Sequence, residues 1–355
     1  MFSFPKHMNK IFGKVVFIGP DKRGRGGMAS VLASYAENFT PFHYLASNSC
    51  KGTLAGVLRT LTTLAVLPLM RVKGYKIAHI HYASGKSWQR KKIIAKIAKV
   101  FGFKIVMHCH SATMKLFCET RGHDYIRKTL NIADANVVLS HSWLEYFKDT
   151  LKCNNVFVVN NIINRPVQIN NKHNEIIEFL FLGSIDERKG IFDALQAFER
   201  LAHKGLKFRL VVGGNGDIDR FRNELKARKL DNFVDFKGWI SGDDKEDALN
   251  NCDILILPSY NEGLPISILE AMARRKAVIS TPVGGIPEII QSGYNGILVT
   301  PGNINEIEKA METYILNPWL IEKHGQSSFD IIKDYFPEAV ENQLNIVYSK
   351  IINSY

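Results

Sequence analysis

The 355-residue chain is long enough for two domains of ordinary size, and its 46% hydrophobic residues can give each domain a core. Five scattered cysteines without a Cys-x-x-Cys pair argue against a disulfide framework and a cysteine zinc site, and they indicate a reducing compartment. Residues 1–14 carry charges and no apolar run, so we expect no secretory signal and a cytoplasmic location.

Positive charge is concentrated in the first half of the chain. Residues 1–165 contain 25 Lys and Arg against 7 Asp and Glu, a net charge of +18, whereas residues 166–355 contain 21 against 27, a net charge of −6. Such a basic half predicts an anionic partner: nucleic acid, an anionic bilayer or a phosphorylated substrate. The chain has no helix-turn-helix cue, zinc spacing or RNA-binding aromatic signature, so we expect no nucleic acid and favour a membrane surface with lipid phosphates.

Apolar strand candidates alternate with helical patterns along this half, which predicts a parallel, doubly wound sheet. After the first candidate, Gly24, Gly26 and Gly27 stand with Arg23 and Arg25 in a turn that could bind an anion, although such turns also occur without a ligand. The five candidates are Lys14–Gly19, Lys76–Tyr82, Lys104–His110, Asn136–Ser140 and Val156–Asn160.

The segment Leu54–Met70 is apolar for much of its length, but Arg59 and Pro68 interrupt it. A membrane-spanning helix needs about 20 predominantly apolar residues. We therefore predict an amphipathic or partly buried helix, and the alternative is an element that lies on a membrane surface.

Two pairs of histidines lie at the ends of neighbouring strand candidates. His79 and His81 share one face of their strand, as do His108 and His110, because side chains alternate along a strand. Their spacing is not that of a zinc motif, and no carboxylate is placed to complete a ligand set. We expect no metal here and interpret them as polar strand ends.

The chain turns polar around Asn160–Asn174, which predicts a linker between two domains. We place an N-terminal domain at residues 1–165, a second domain at 166–336 and a final helix at 337–355. In the second domain, Arg188 and Lys189 precede a helix, a position that suits a diphosphate but is also common for a solvated surface pair. Asp217 is predicted to cap a later helix.

The stretch Asn251–Pro301 reads as strand, loop, helix and strand, and ligands in such units lie at the carboxyl ends of the strands. The backbone amides of Gly263 and Leu264, with Pro265 opening the helix, favour a phosphate. Glu262 and Glu270 would be repelled by a phosphate, so they suit hydroxyl groups, although each could be an ordinary surface acid. Phosphates and hydroxyls together suggest a nucleotide sugar.

The sequences PSYNEGLPISILEAMA, KAVISTPVGGIPEII and GYNGILV resemble the C-terminal half of retaining glycosyltransferase family 4, also called glycosyl transferases group 1. The resemblance implies an α/β fold of the GT-B type, with two doubly wound Rossmann-like domains that face a cleft. It implies that Glu262 contacts the donor sugar and phosphates and that Glu270 holds the ribose. Arg188 and Lys189 would bind the diphosphate, although Ser184 stands where members commonly have Arg.

The same resemblance extends to less conspicuous residues. It implies that His110 contacts the donor sugar, that Gly26 and Gly27 border the cleft, and that Trp239 lies beside the nucleotide base, unless Trp239 is a core residue. The final helix would cross back to the first domain.

The expected reaction is transfer of a sugar from a nucleotide-sugar donor to an acceptor hydroxyl with retention at the anomeric carbon, without a metal or another cofactor. The resemblance suggests assembly of bacterial surface polysaccharide, with a glycan or lipid-linked diphosphate acceptor, on the inner face of the cell membrane. A contact surface for that membrane is predicted on the helix after Gly85, and the alternative is a merely solvated helix face. The alternatives are a sugar phosphorylase, a nucleotide-sugar epimerase or a non-catalytic scaffold. The basic residues of the predicted surface are Lys86, Arg90, Lys91, Lys92, Lys96 and Lys99.

Overall fold

The computed structural model describes residues 9–24, 26–50, 52–169 and 176–353. The chain forms two compact units, Met1–Ile163 with Asp334–Tyr355, and Asn164–Lys333. The domain boundaries predicted from the sequence lie after residues 165 and 336 instead. Residues 1–8, Arg25 of the Gly-rich turn and residues 170–174 of the predicted linker lie outside the described residues.

The first unit contains a parallel sheet of six strands. Its strands β1 and β3 are buried along their whole length, as expected for a parallel sheet covered on both faces. The strands are β1 Val15–Gly19, β2 His43–Ala46, β3 Ile77–Tyr82, β4 Lys104–Cys109, β5 Ala135–Val138 and β6 Val156–Val158, in the order β2-β1-β3-β4-β5-β6.

Within the described residues, seven helices precede the second unit. The last of them, α7, continues as a π-helical turn at Tyr146–Thr150. The helices are α1 Asn9–Phe12, α2 Gly27–Asn38, α3 Thr53–Val72, α4 Lys86–Val100, α5 Met114–Arg121, α6 His123–Leu130 and α7 His141–Glu145.

The second unit contains another parallel six-stranded sheet, in the order β12-β11-β10-β7-β8-β9. Its strands are β7 Ile177–Leu182, β8 Phe208–Gly213, β9 Val234–Gly238, β10 Ile254–Leu257, β11 Ala277–Ser280 and β12 Ile297–Leu298. Its helices are α8 Ile191–His203, α9 Ile218–Ala227, α10 Asp243–Asn251, α11 Ile266–Ala273, α12 Ile304–Leu316 and α13 Trp319–Ile331. Short 3₁₀ helices lie at Glu187–Lys189, Ile286–Glu288 and Ile332–Tyr335.

The predicted pair of doubly wound sheets is confirmed. Asp217 caps α9 as predicted, because its side chain accepts a hydrogen bond from the amide of Arg220. The edge strand β2 was not predicted, since its four residues are only half-buried and present no apolar run. Pro265 stands one residue before α11 and not inside its first turn.

The predicted helix over Leu54–Met70 is confirmed as α3, which continues through Pro68. By length and composition alone, α3 is long enough and apolar enough to cross a membrane. Only Thr63 and Leu67 along it are buried. Leu54, Leu58 and Leu61, spaced on one helix face, are 75%, 57% and 57% exposed.

The chain ends in α14 Pro337–Ile352, which belongs to the first unit. The hydroxyl of Tyr348 lies 2.6 Å from Nδ1 of His79, and its ring packs edge-on against Phe12. The side chain of Gln343 accepts a hydrogen bond from the amide of Asn160 at 2.8 Å. These contacts fix α14 against the first sheet.

The turn before α8 depends on a glycine at position 190. Gly190 has a φ of +71°, and a Cβ there would lie 2.1 Å from the carbonyl oxygen of Pro258. Gly205 has a similar φ of +73° with no atom within 4 Å of the added Cβ. A comparison of alanine substitutions at the two positions therefore separates the cost of backbone strain from the cost of a steric clash.

We predict that Gly190→Ala destabilises the protein more than Gly205→Ala. Both variants bear the left-handed backbone cost of about 1–2 kcal/mol, and overpacking at Gly190 adds roughly 1–3 kcal/mol. Urea unfolding of both variants measures the difference. Equal losses of stability would show that the approach of Pro258 to Gly190 is not a constraint.

Candidate functional site

The strand order of the second sheet reverses between β7 and β10, which are neighbours but not consecutive in the chain. In doubly wound sheets such a reversal leaves a crevice at the carboxyl ends of the strands. Residues 183–190 follow β7 and residues 258–265 follow β10. The sequence-predicted Arg188, Lys189 and Glu262 therefore meet at this edge.

Glu262 is the centre of a charge cluster in this crevice. Its side chain is 7% exposed, and its Oε1 lies 2.5 Å from Nζ of Lys189. Nη1 of Arg188 lies 3.8 Å from the same oxygen and donates to the carbonyl of Asn261 at 3.1 Å. Nη2 of Arg188 also lies 3.9 Å from Oδ2 of Asp186, so two cations and two carboxylates make up the cluster. An anionic ligand could take the place of a carboxylate beside these cations.

Local hydrogen bonds hold the two cations in place. Oδ1 of Asp186 accepts from the amide of Lys189 at 3.0 Å, and Oδ2 accepts from the hydroxyl of Ser184 at 2.6 Å. Nη2 of Arg188 donates to the same hydroxyl at 3.4 Å. Ser184, where the family resemblance leads one to expect Arg, therefore supports the guanidinium of Arg188.

The loop that carries Glu262 packs closely against a second glycine turn. Gly284 has a φ of +59°, and a Cβ there would lie 2.0 Å from the carbonyl oxygen of Glu262. The amide of Gly285 donates to the carbonyl of Gly263 at 2.7 Å. Leu264 is 5% exposed, and the following helix begins without a side-chain cap. Orphan amides at such a helix start can bind an oxyanion.

Glu270, on α11, has a partner that the sequence did not predict. Its Oε1 lies 2.6 Å from Nζ of Lys245 on α10. Lys245 is the one lysine in the acidic helix Asp243–Asn251. A single basic residue among acidic neighbours is the sequence signal that could have identified Lys245 as a functional residue. Trp239 follows β9 and is 40% exposed, which does not fit the alternative of a core residue.

Four histidines of the first unit, His79, His81, His108 and His110, form a stacked, hydrogen-bonded group. Nε2 of His79 lies 3.0 Å from Nδ1 of His108, and Nδ1 of His81 lies 2.8 Å from Nε2 of His110. Burial lowers the pKa of His79 and His110 to about 3, so both rings are neutral at physiological pH.

The ligand nitrogens of His79, His81 and His108 lie within 4.8 Å of one another. Both nitrogens of His79 already have partners, at Tyr348 and His108. Among the ring nitrogens of these four described histidines, Nε2 of His81 and Nε2 of His108 are the ones that are buried without a hydrogen bond. The arrangement therefore fits a hydrogen-bonded stack better than a three-histidine metal centre.

Gly26, Gly27 and His110 lie together around a cavity of 450 Å³ in the first unit. Lys91 also lines this cavity. It is 1% exposed, so its place in an exposed membrane-contact surface is wrong. The sequence did carry the signal, because Lys91 is on the stripe of buried α4 residues that includes Trp88, Ile94, Ala95 and Ala98.

Comparisons with known proteins agree with this architecture. Residues 163–328 match the family model of Glycosyl transferases group 1. An uncharacterized glycosyltransferase of Methanocaldococcus jannaschii, MJ1178, is 24% identical over 288 residues, which are 80% of this chain and 78% of that protein. The putative colanic acid biosynthesis glycosyltransferase WcaL of Salmonella typhimurium is 25% identical over 177 residues, which are 47% of this chain and 44% of WcaL.

Among solved structures, Anabaena HepE in complex with UDP-glucose has a TM-score of 0.74 and 16% sequence identity, covering 96% of this chain and 99% of HepE. This likeness confirms the GT-B fold with its two Rossmann-like domains. The family match and the named relatives support a glycosyltransferase. The match with WcaL spans less than half of that relative.

We predict that Lys189 and Glu262 are energetically coupled. Lys189→Met, Glu262→Gln and the double variant form a cycle, and urea unfolding should give a coupling of about 1–3 kcal/mol because the pair is largely buried. The matched control is the Lys333–Asp330 pair, 2.9 Å apart with side chains 59% and 52% exposed, where we expect less than about 1 kcal/mol. A coupling no larger than the control would contradict the buried pairing.

Proposed function

We propose that the chain is a retaining glycosyltransferase that moves a sugar from a nucleotide-sugar donor to an acceptor hydroxyl. The observation that carries the proposal is the pairing of Lys189 and Arg188 with Glu262 at the β7/β10 reversal. Cations at that position suit a diphosphate, and a carboxylate suits sugar hydroxyls. One crevice thus offers partners for both halves of a nucleotide sugar.

The donor would displace the internal partners of this cluster. Its diphosphate would accept hydrogen bonds from Lys189, Arg188 and the amides that precede α11, and Glu262 would then be available to the sugar. Glu270 would accept hydrogen bonds from the ribose hydroxyls in exchange for Lys245. The exposed ring of Trp239 would stack on the base. HepE, which has the same fold, was crystallised with UDP-glucose, which makes UDP-sugars the first candidates.

In the proposed reaction, the bond between the anomeric carbon and the diphosphate oxygen breaks while the acceptor oxygen bonds to the same face of that carbon. The acceptor proton passes to the departing diphosphate. Lys189 and Arg188 stabilise the negative charge that develops there, a contribution that fixed cations make more effectively than water. His110 would contact the sugar. We propose that the reaction requires no metal because these side chains carry the neutralising charge.

The setting we propose is the assembly of surface polysaccharide at the inner face of the membrane. WcaL is named for colanic acid biosynthesis, and the first half of this chain carries a net charge of +18, with 25 Lys and Arg against 7 Asp and Glu. The exposed apolar stripe of Leu54, Leu58 and Leu61 on α3 would enter the bilayer surface. A glycan or a lipid-linked diphosphate would be the acceptor.

We predict that screening UDP- and GDP-sugars with the protein, in the presence of a chelator, will identify a donor whose turnover releases the nucleoside diphosphate.

Glu270→Ala should weaken donor binding by about 1–3 kcal/mol, which is roughly 5- to 150-fold in Kd. Glu322→Ala, on the exposed face of α13, should leave donor binding unchanged. Isothermal titration measures both.

Several outcomes would contradict the proposal. Loss of activity in chelator that magnesium or manganese restores would overturn metal-independent catalysis. Formation of a sugar phosphate would indicate a phosphorylase, and conversion of the donor without release of diphosphate would indicate an epimerase. Tight donor binding without any turnover would favour a scaffold.

We also predict that the protein floats with anionic vesicles at low salt and less at high salt. Each basic residue near an anionic surface contributes about 1 kcal/mol, and screening acts over a Debye length of about 8–10 Å. Leu58→Ser with Leu61→Ser should reduce flotation, whereas Leu316→Ser on α12, where Leu316 is 62% exposed, should not. Equal flotation with neutral vesicles, or none with either, would remove the membrane from this account.

A further inference from the structure

The cavity in the first unit lies at a second reversal of strand order. In the order β2-β1-β3-β4-β5-β6, the sheet reverses between β1 and β3. The connection after β1 supplies Asp21, Gly24 and Gly26 to the cavity, and the connection after β3 supplies Ala83. Ligands of doubly wound sheets bind at such a crevice, so the position of this cavity is itself that of a binding site.

Two helices point their N-termini at the cavity. Gly27 and Met28 of α2 line it, as does Ser87 of α4. Neither helix has a side-chain cap at its start or an acidic residue in its first turn. The free amides of two helices, 12 and 15 residues long, therefore face one cavity without a negative group of their own to balance them.

The wall of the cavity also carries two cations without counter-charges. Lys91 is 1% exposed, and its ammonium donates to the hydroxyl of Ser47. Nε of Arg90 is buried without a hydrogen bond. Within the described part of the chain, neither side chain forms an ion pair with a carboxylate. A buried ammonium without a counter-charge and a buried guanidinium nitrogen without an acceptor are both costly.

The one carboxylate in the lining is already neutralised. Asp21 pairs with Arg23, whose Nε and Nη2 each lie 3.3 Å from its oxygens, and this pairing lowers the pKa of Asp21. The amide of Arg23 donates to Asp21 as well, at 3.1 Å. The charge of Asp21 is thus engaged on its own loop, and Lys91 and Arg90 leave the cavity positive.

We propose that this cavity binds an oxyanion group, a phosphate or a carboxylate, that the acceptor carries. The assignment of this oxyanion to an acceptor rests on the proposed glycosyltransferase function. The binding of an oxyanion, in contrast, is inferred from residues of the first unit alone. Arg90 and Lys91 would supply charged donors, and Gly27 and Met28 would supply amides. His110, on the same cavity wall, would lie beside the acceptor group.

Binding should be linked to a proton on Lys91. Burial, with Arg90 beside it, lowers the pKa of Lys91 to about 7, and a bound anion would raise it again. The other titratable groups around Lys91 do not change charge near neutral pH. Asp21 is ionised, and His110 and His81 are neutral because burial lowers their pKa. Cys50 is exposed at the edge of the cavity. At pH 8 the protein should therefore take up a proton as the anion binds.

The experiment is calorimetric titration of the full chain with inorganic phosphate, glucose 1-phosphate and glucuronate, and with glucose as the neutral control. We expect the oxyanions to bind and glucose not to bind. Lys91→Met and Arg90→Gln should each weaken oxyanion binding at least tenfold, whereas Lys96→Met, on the exposed side of the same helix and outside the cavity, should leave it unchanged. The ratio between glucose 1-phosphate and glucuronate shows which oxyanion the site prefers.

Proton uptake provides a readout that a structural role of Lys91 would not produce. Glucuronate does not titrate near neutral pH, so its binding at pH 8 in buffers of different ionisation enthalpy should report uptake in the wild type and none in Lys91→Met. Arg90→Gln, at a less buried position, keeps the test available if Lys91→Met unfolds. Absence of oxyanion binding, or equal binding by wild type and both variants, would overturn the proposal.

The outcome can be separated from that of the proposed function. Donor binding and release of nucleoside diphosphate are measured on the wild type with nucleotide sugars, and oxyanion binding is measured without them. Oxyanion binding in a protein that turns over no nucleotide sugar would sustain this site and refute the enzyme. Turnover without oxyanion binding would refute this site and sustain the enzyme.

Discussion

The reversal of strand order in each parallel sheet is the constraint on which both candidate sites depend. In a doubly wound sheet, the connections on the two sides of the reversal run over opposite faces, so a crevice opens at the carboxyl ends of the two strands between them. The β7/β10 reversal brings Lys189 to Glu262, and the β1/β3 reversal brings the start of α2 to the start of α4.

The second unit fixes its charged residues before a ligand arrives. Glycines at positions 190 and 284 allow two loop backbones to approach within distances that no side chain permits. Asp186 and Ser184 then orient the cations, and Glu262 neutralises part of their charge in the meantime. In the proposed donor complex, a diphosphate would replace the carboxylate as the partner of cations whose positions are already fixed, and fixed charges stabilise a developing charge effectively.

The first unit solves the burial of polar groups differently. Four of its histidines, His79, His81, His108 and His110, are kept neutral by burial. They bond to one another, and His79 also bonds to Tyr348 of α14, so these buried side chains make hydrogen bonds without bringing charge. Lys91 is the exception to this economy of charge. No carboxylate pairs with its ammonium within the described residues, and the oxyanion proposed for the cavity would supply the counter-charge.

The sequence by itself determined the features that are encoded locally. Alternation of apolar strands with helical patterns predicted a doubly wound sheet in the first half of the chain, and the residues around Glu262 and Glu270 predicted the strand, loop and helix that carry them. Arg188 and Lys189 were placed at a helix start by their immediate neighbours. Each of these inferences needs only the periodicity of side chains and the chemistry of helix ends.

Only the tertiary structure decided which of these local features meet. The neighbours β7 and β10 are separated by two other strands in the chain, and their pairing depends on burial of both faces of the sheet, which no local pattern specifies. The same holds for Lys245, which reaches Glu270 from another helix, and for β2, whose half-buried residues show no apolar run. Lys91 was assigned to the surface by its charge, but the register of α4 on the sheet turned it inward, because helix rotation is set by the apolar residues that pack beside it.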